Sequence, residues 1–387
     1  MELRMYKYRL YPSKKQQQIL FNTFNICKKI YNNLLEMSIK TYEETNKTLR
    51  KYDFDKILVG KYPEVFSQVK QNVSDRVHKV FQNFFRRVKD KSCKKKGFPR
   101  FKSRIHSITY PQFGFKFLSQ RRLKVSKIGS IPIVLHRIPK GKVKTLTIKR
   151  NRVGQWFAIF ACEVDVKPVK NTSKKEIGID VGLTSFATTS DGIFVSNPRY
   201  LVKAEKRLKF LQRRVSRKKK GSKNREKSKH LLARQHLKVS NQRLDFLHKL
   251  SHELTKNNKT IVVEDLNIKG MTRNHYLAKY ISDASWNSFI HMLEYKAVTS
   301  GSTLIKVNPR NTSKTCSNCG AIADIPLNQR EYRCSVCGFV CHRDLNASIN
   351  ILKIGLDKSK FTPVDDHVRP SLLKAKVCEA GTILDNS

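Results

Sequence analysis

Apolar and polar residues alternate through residues 2–11 (ELRMYKYRLY), the two-residue period of a strand with one buried face, and the run stops at Pro12. From Lys14 the period changes. Ile19, Leu20, Phe24, Cys27, Ile30, Tyr31, Leu34 and Leu35 recur every three to four residues, which predicts an amphipathic helix. Val69, Val73, Val77, Val80, Phe81, Phe84 and Phe85 predict a second. The helical pattern runs to about Arg87, and the basic stretch Lys94, Lys95, Lys96, Gly97, Phe98, Pro99 breaks it into a loop. Between Ile108 and Val166 short strand-like runs (IPIVLH, KTLTIKR, QWFAIFACEV) are punctuated by Gly and Pro. They predict a small β-barrel or sheet, completed by the N-terminal strand, with the helices inserted into it.

Residues 167–175 (KPVKNTSKK) form a polar linker and a domain boundary. After it, EIGIDV and TSFATTS read as strands, Asp191–Gly192 as a hairpin turn, and IFV as a third strand. A long basic helical region follows (about 198–257), then the β-branched run Thr260 to Val263, which reads as a buried strand of parallel type. HRDLNASINIL carries Leu345, Ile349 and Leu352 at helical spacing. The last residues, 357–387, mix Pro, Gly and charge and read as a flexible tail. There are no internal repeats.

Charge changes the picture most. The 387 residues hold 79 Lys+Arg against 30 Asp+Glu, a formal net charge of +49, and hydrophobic residues make up 39%, enough for real cores. A folded chain that repels itself so strongly needs a polyanion to neutralise it, and nucleic acid is the expected partner. No stretch nears the roughly 18 apolar residues of a membrane span, so no membrane association is expected. The N-terminus lacks a signal peptide's apolar core and cleavage site. A cytoplasmic location follows as an expectation, and there disulfides are disfavoured. Five of the nine cysteines crowd between Cys316 and Cys341, so metal is the better reading of them.

Three carboxylates stand out. Asp180 lies inside the apolar run of the first strand, flanked by Gly178 and Gly182, which would leave room for metal and phosphodiester to approach the backbone. Glu264 ends the run TIVVE, at the C-terminal edge where open α/β sheets place their ligands. Asp344 opens the last helical pattern. Asp265 reads as strand-end chemistry. Phosphodiester hydrolysis needs an activated water and a neutralised leaving oxygen, which two Mg²⁺ ions supply, and two or three carboxylates suffice to hold them. Taken singly, each acid reads more readily as an ordinary cap or salt-bridge partner; it is the three together, beside the cysteine pattern, that point to a metal site.

Cys316-Ser-Asn-Cys319-Gly and Cys334-Ser-Val-Cys337-Gly are two knuckles separated by fourteen residues. Four thiolates close a tetrahedral Zn²⁺ shell with no open position, which marks a structural site; a redox CxxC pair is the alternative. Cys341 is left over, and His342 reads as a surface or hydrogen-bonding histidine.

In order and spacing, EIGIDVGL, VVEDLNIKGM and CSNCG…YRCSVCG…HRDLNASINIL resemble the TnpB proteins of bacterial and archaeal insertion sequences. YRLYPSKKQQ, NFFRR, KKKGFPRFKSR and SRKKKGSKN…HLKVSNQRLDFLHKLS are similar to the same family, so the resemblance covers nearly residues 1–355. It implies an RNA-guided DNA endonuclease related to type V CRISPR effectors, one protein per RNA. Its guide RNA would come from the transposon end, and it would cut double-stranded target DNA beside a short adjacent motif. The implied fold is α/β multidomain, with an RNase H-like (RuvC) nuclease domain at 173–310 and 341–356 split by a zinc ribbon at 311–340. A wedge-like β-barrel domain at 1–13 and 105–172 would carry a helical recognition domain at 14–104. The matching acids are Asp180, Glu264 and Asp344 for catalytic Mg²⁺, and the zinc ligands Cys316, Cys319, Cys334 and Cys337. Where the family commonly has Asp-Arg-Asp, this chain has His342-Arg343-Asp344 and keeps the second acid.

The basic segments 86–104, 121–150 and 203–243 can line a channel for an RNA–DNA duplex held by its backbone. Lys94, Lys95, Lys96, Lys218, Lys219 and Lys220 are the expected phosphate contacts. Gln68, Lys70, Gln71 and Asn72 resemble the part of the family that reads the adjacent motif. Two rivals remain open at the level of sequence: a nuclease-inactive RNA-guided repressor, which would lack the acids, and a metal-dependent transposase on an RNase H-like fold.

Overall fold

The structure, a computed structural model, describes residues 2–93, 95–165, 171–326 and 329–356. The chain divides after Val166 into two compact units. Lys94 and the stretch 357–387 lie outside the described residues. Among those described, no helix is long and apolar enough to cross a membrane.

The first unit runs β1 (Glu2–Leu10), α1 (Lys14–Thr45), α2 (Lys51–Leu58), α3 (Ser67–Lys89), β2 (Ser107–Pro111), β3 (Phe115–Ser119), β4 (Arg122–Val125), β5 (Gly129–Val134), β6 (Lys142–Arg150) and β7 (Trp156–Val164). Helix α1 starts where Ser13 and Gln16 form a reciprocal capping box, satisfying two backbone amides that the first turn leaves unpaired. The seven strands form one antiparallel sheet in the order β2-β6-β7-β1-β5-β4-β3. Its alternation is strict in β7, where Trp156, Ala158, Phe160, Cys162 and Val164 point inward.

Strands β2 and β3 stand at opposite edges of that order, yet only residues 112–114 join them. Four Cα steps span at most about 15 Å, so the sheet has to curl until its edges meet. The Tyr110 hydroxyl donates across this seam to the Ser126 carbonyl at 3.2 Å. No ladder joins β2 to β3 among the described residues, and the result is a half-barrel where a barrel or sheet was expected. The buried faces of α1, α2 and α3 share one core with the sheet, from Leu20 and Val77 to Ile131 and Phe160.

The second unit runs β8 (Glu176–Val181), β9 (Ser185–Thr189), β10 (Phe194–Ser196), α4 (Tyr200–Ser216), α5 (Lys223–Asn257), β11 (Thr260–Glu264), α6 (Ile268–Met271), α7 (His275–Ala284), α8 (Trp286–Ser300), β12 (Thr303–Val307), β13 (Glu331–Arg333), β14 (Val340–His342) and α9 (Arg343–Gly355). Its main sheet has the order β10-β9-β8-β11-β12, with β8, β11 and β12 parallel and β9 antiparallel to both neighbours. Strand β11 is apolar on both faces because both are covered. Ile261 and Val263 join a core with Leu247, Trp286 and Phe289, while Val262 packs with Ile351 of α9.

Helix α9 crosses the sheet at a glycine. A Cβ on Gly178 would sit 2.1 Å from the Ser348 carbonyl oxygen and 2.7 Å from the Leu352 amide nitrogen, both backbone atoms. A Cβ on Gly182 would meet the Ser185 carbonyl oxygen at 2.9 Å. The expectation that these glycines admit metal and phosphodiester is therefore corrected. Gly178 admits a helix, and Gly182 serves its own turn. Gly178→Ala should lower stability by about 3 kcal/mol, since the clash falls on backbone that cannot rotate away. Urea unfolding midpoints read this directly, and a variant as stable as the parent would contradict the packing.

Candidate active site and metal centre

The three acids arrive from three distant stretches. Val263 of β11 pairs with Ile179 of β8, so one step further along the parallel ladder Glu264 lies beside Asp180. Asp344 is the second residue of α9, which docks over β8. All three stand at the C-terminal edge of the parallel strands.

Solvent still reaches Asp180, yet protein encloses most of it. That burial, with Glu264 and Asp344 as like-charged neighbours, pushes its carboxyl up to about 8, and nearby Arg343 relieves only part of the effect. Burial also raises Glu264, against the pull of the Thr312 hydroxyl, which donates to its Oε1 at 2.5 Å. Arg330 Nη1 stands 3.7 Å from Asp344 Oδ1. These two arginines offset only part of the charge of three carboxylates, and a hard divalent cation bound by carboxylate oxygens fits the remaining deficit. The three carboxylates are not drawn within 4.8 Å of one another as the four cysteine sulfurs are. Asp265 is exposed, and its backbone amide donates to the Val307 carbonyl, a strand-end role.

The sulfurs of Cys316, Cys319, Cys334 and Cys337 lie within 4.8 Å of one another, with Cys316–Cys337 at 3.7 Å and Cys319–Cys334 at 3.6 Å. A tetrahedron with Zn–S bonds of 2.3 Å has an edge of about 3.8 Å, which these two pairs match, so the four thiols suit zinc. Gly320 and Gly338, at φ 82° and 73°, take the left-handed turn after each knuckle. The Phe339 amide, hydrogen-bonded to the thiolate, brings Cys337 down to about 6. Cys341 stays outside the group, its thiol pushed up to about 12 by burial. His342 caps α9, its Nδ1 accepting from the Asp344 amide at 3.2 Å. That bond requires Nδ1 to be unprotonated.

Sequence reasoning missed the residues that join ribbon to helix. Asn346 and Asn350 are almost fully buried on α9. Asn346 accepts from the Ser317 amide at 2.8 Å and donates to the Thr315 carbonyl at 2.7 Å. Asn350 donates to the Thr312 and Thr315 carbonyls at 2.9 and 2.6 Å. Lys353 Nζ reaches the Ser317 carbonyl at 2.6 Å. Two asparagines four residues apart in a helix were the available signal, but that spacing equally describes a solvated face.

The expected nucleic-acid contacts are not among the residues that build this site. Lys95 and Lys96 are exposed in the loop after α3, and Lys218, Lys219 and Lys220 are exposed at the turn between α4 and α5. Gln71 is exposed and Asn72 half-buried on α3. Gln68 and Lys70 are engaged internally, with Gln68 Oε1 accepting from the Phe113 amide and Lys70 Nζ donating to the Lys61 carbonyl.

Residues 159–275 match the OrfB_IS605 family model, described as "Probable transposase", and residues 286–351 match "Cas12f1-like, TNB domain". Residues 1–47 match a model described as "Helix-turn-helix domain", although here they form a strand and one unbroken helix. A "Putative RNA-guided DNA endonuclease" of Streptomyces pristinaespiralis is 35% identical over 383 residues, covering 95% of this chain and 92% of that protein. InsQ of Escherichia coli strain K12, which carries the same description, is 29% identical, covering 91% and 92%. The fold is similar to that in "Cryo-EM structure of the Cas12f1-sgRNA-target DNA complex", with a TM-score of 0.57, 15% identity, and coverage of 90% of this chain and 98% of that one. With 35% identity sustained along nearly the whole of both chains, the protein belongs to the TnpB family.

Proposed function

We propose that the chain is an RNA-guided DNA endonuclease of an insertion sequence, with a catalytic Mg²⁺ site at Asp180, Glu264 and Asp344 and a structural zinc at the four cysteines. The observation that carries this is the gathering of three carboxylates, against their mutual repulsion, in a chain of net charge +49. Bound there, divalent cations would supply an activated water and neutralise the leaving oxygen of a phosphodiester. The protein's part is to hold the acids at one edge of a rigid sheet, with Arg343 and Arg330 close enough to temper their charge. A nuclease-inactive repressor would share the basic surface but have no use for three like charges kept together.

The second unit is read as an RNase H-like (RuvC) domain with the ribbon inserted. The support is the meander β8-β9-β10 followed by parallel β11 and β12, with acids on β8, β11 and α9. In the first unit the half-barrel is read as wedge-like and the helices as the recognition element.

Lysine and arginine contact phosphates and sugars, which carry no sequence information directly, so base pairing to the guide would supply most of the specificity. A plasmid assay with two guides and two matching targets tests this. Cutting should follow the guide wherever the adjacent motif is kept. If one site is cut whichever guide is supplied, or cutting proceeds without RNA, the reading is wrong. Replacing Lys218, Lys219 and Lys220 by glutamine should weaken binding to all targets alike. The slope of log affinity against log salt should fall by roughly one for each phosphate that is no longer neutralised.

A further inference from the structure

We propose that Thr312, fixed in place by Asn350, is a positioning residue for Glu264, so that the first zinc knuckle is part of the support of the acid cluster. The inference rests on the reading of Glu264 as a metal ligand and goes beyond it. Thr312 lies in the turn between β12 and Cys316, is almost fully buried, and is 48 residues from Glu264 in sequence. Its hydroxyl carries one proton and has two acceptors in reach, Glu264 Oε1 at 2.5 Å and the Pro309 carbonyl at 3.2 Å. The shorter contact, to the group that ionises, takes the proton. One carboxylate oxygen is thereby fixed, and the other is left for a cation.

The hydroxyl is itself held. Asn350 Nδ2 bonds the carbonyl of Thr312 and that of Thr315, one residue before Cys316. Asn346 then takes both the Thr315 carbonyl and the Ser317 amide, one residue after Cys316. Both asparagines belong to α9, whose first turn carries Asp344. The strand acid and the helix acid are therefore referenced to the same short segment, residues 312–317, and zinc at Cys316 would fix that segment. Partners of ligating carboxylates set ligand orientation, and losing one typically weakens metal affinity by about 10–100-fold.

The test measures Mn²⁺ binding by electron paramagnetic resonance on the full chain with its RNA, alongside zinc content and melting temperature. Thr312→Val should weaken Mn²⁺ binding by at least about tenfold. Its cleavage should fail at low Mg²⁺ and recover as Mg²⁺ is raised, with zinc and melting temperature as in the parent. Thr312→Ser, which keeps the hydroxyl, should bind Mn²⁺ like the parent. Parental Mn²⁺ affinity in Thr312→Val, with weakened affinity in Glu264→Gln, would overturn the positioning role and leave the metal site standing. Loss of zinc from Thr312→Val would also overturn it, by showing the hydroxyl to be needed for the fold. Parental affinity in Glu264→Gln would bring down the metal reading itself, and the inference with it.

Discussion

Asp180→Ala will stop DNA cleavage while the protein still holds its guide and finds its target. Alanine removes one of the three carboxylates and adds nothing that repels a phosphate. Metal-ion stabilisation of developing charge is worth several kcal/mol, so a loss of at least about a thousandfold in the cleavage rate is expected. If target affinity is carried by the basic side chains proposed above, it should change little. A plasmid-cleavage assay beside a gel-shift titration separates the two quantities. Full cleavage by the variant in Mg²⁺ would remove Asp180 from the metal site. Without divalent metal, the variant should also melt no lower than the parent. Asp180 is buried beside the like-charged Glu264 and Asp344, and its removal relieves that repulsion.

Cys334→Ser should be nearly as damaging, by another route. A four-thiolate site ties binding to folding, on the order of 10 kcal/mol in small zinc modules. Beyond the hydrogen bonds that α9 makes to residues 312–317, the ribbon has only a small core of its own, Cys316, Tyr332 and Cys334 with a few half-buried neighbours. The variant should lose its zinc, become open to trypsin within 313–341, and cut DNA poorly. Active protein found by elemental analysis to contain no zinc would count against this.

Patterns of period two and of three to four announced themselves in the sequence. The alternation of ELRMYKYRLY became β1, the Leu20–Leu35 stripe became the buried face of α1, and the doubly apolar TIVVE became β11, covered on both sides. The acids and cysteines were legible because their residue types are costly or reactive unless something binds them. What stayed hidden depends on residues far apart in the chain. The short helix α2 has too few turns to show a period. The curl of the first sheet follows from the pairing order of its strands, which no local pattern records. Gly178 looked like space for a ligand because the helix that fills the space lies 170 residues further on, at Ser348. Thr312 gave no signal, since a threonine in a turn between a strand and a ribbon is unremarked until its hydroxyl is seen against Glu264.

The docking of α9 onto Gly178 also sets a clock for biosynthesis. Asp180 and Glu264 leave the ribosome on strands that pair in the folded chain, but Asp344 follows about 80 residues after Glu264, behind both knuckles. At about 5–20 residues per second, the nascent chain spends roughly 4–16 s with two acids and without the third. Through that interval the polypeptide already displays much of its positive charge, while its candidate cutting centre is incomplete. A chain that stalls or is truncated before Arg343 would remain in that state, able to cling to nucleic acid but lacking the last carboxylate needed to cut it.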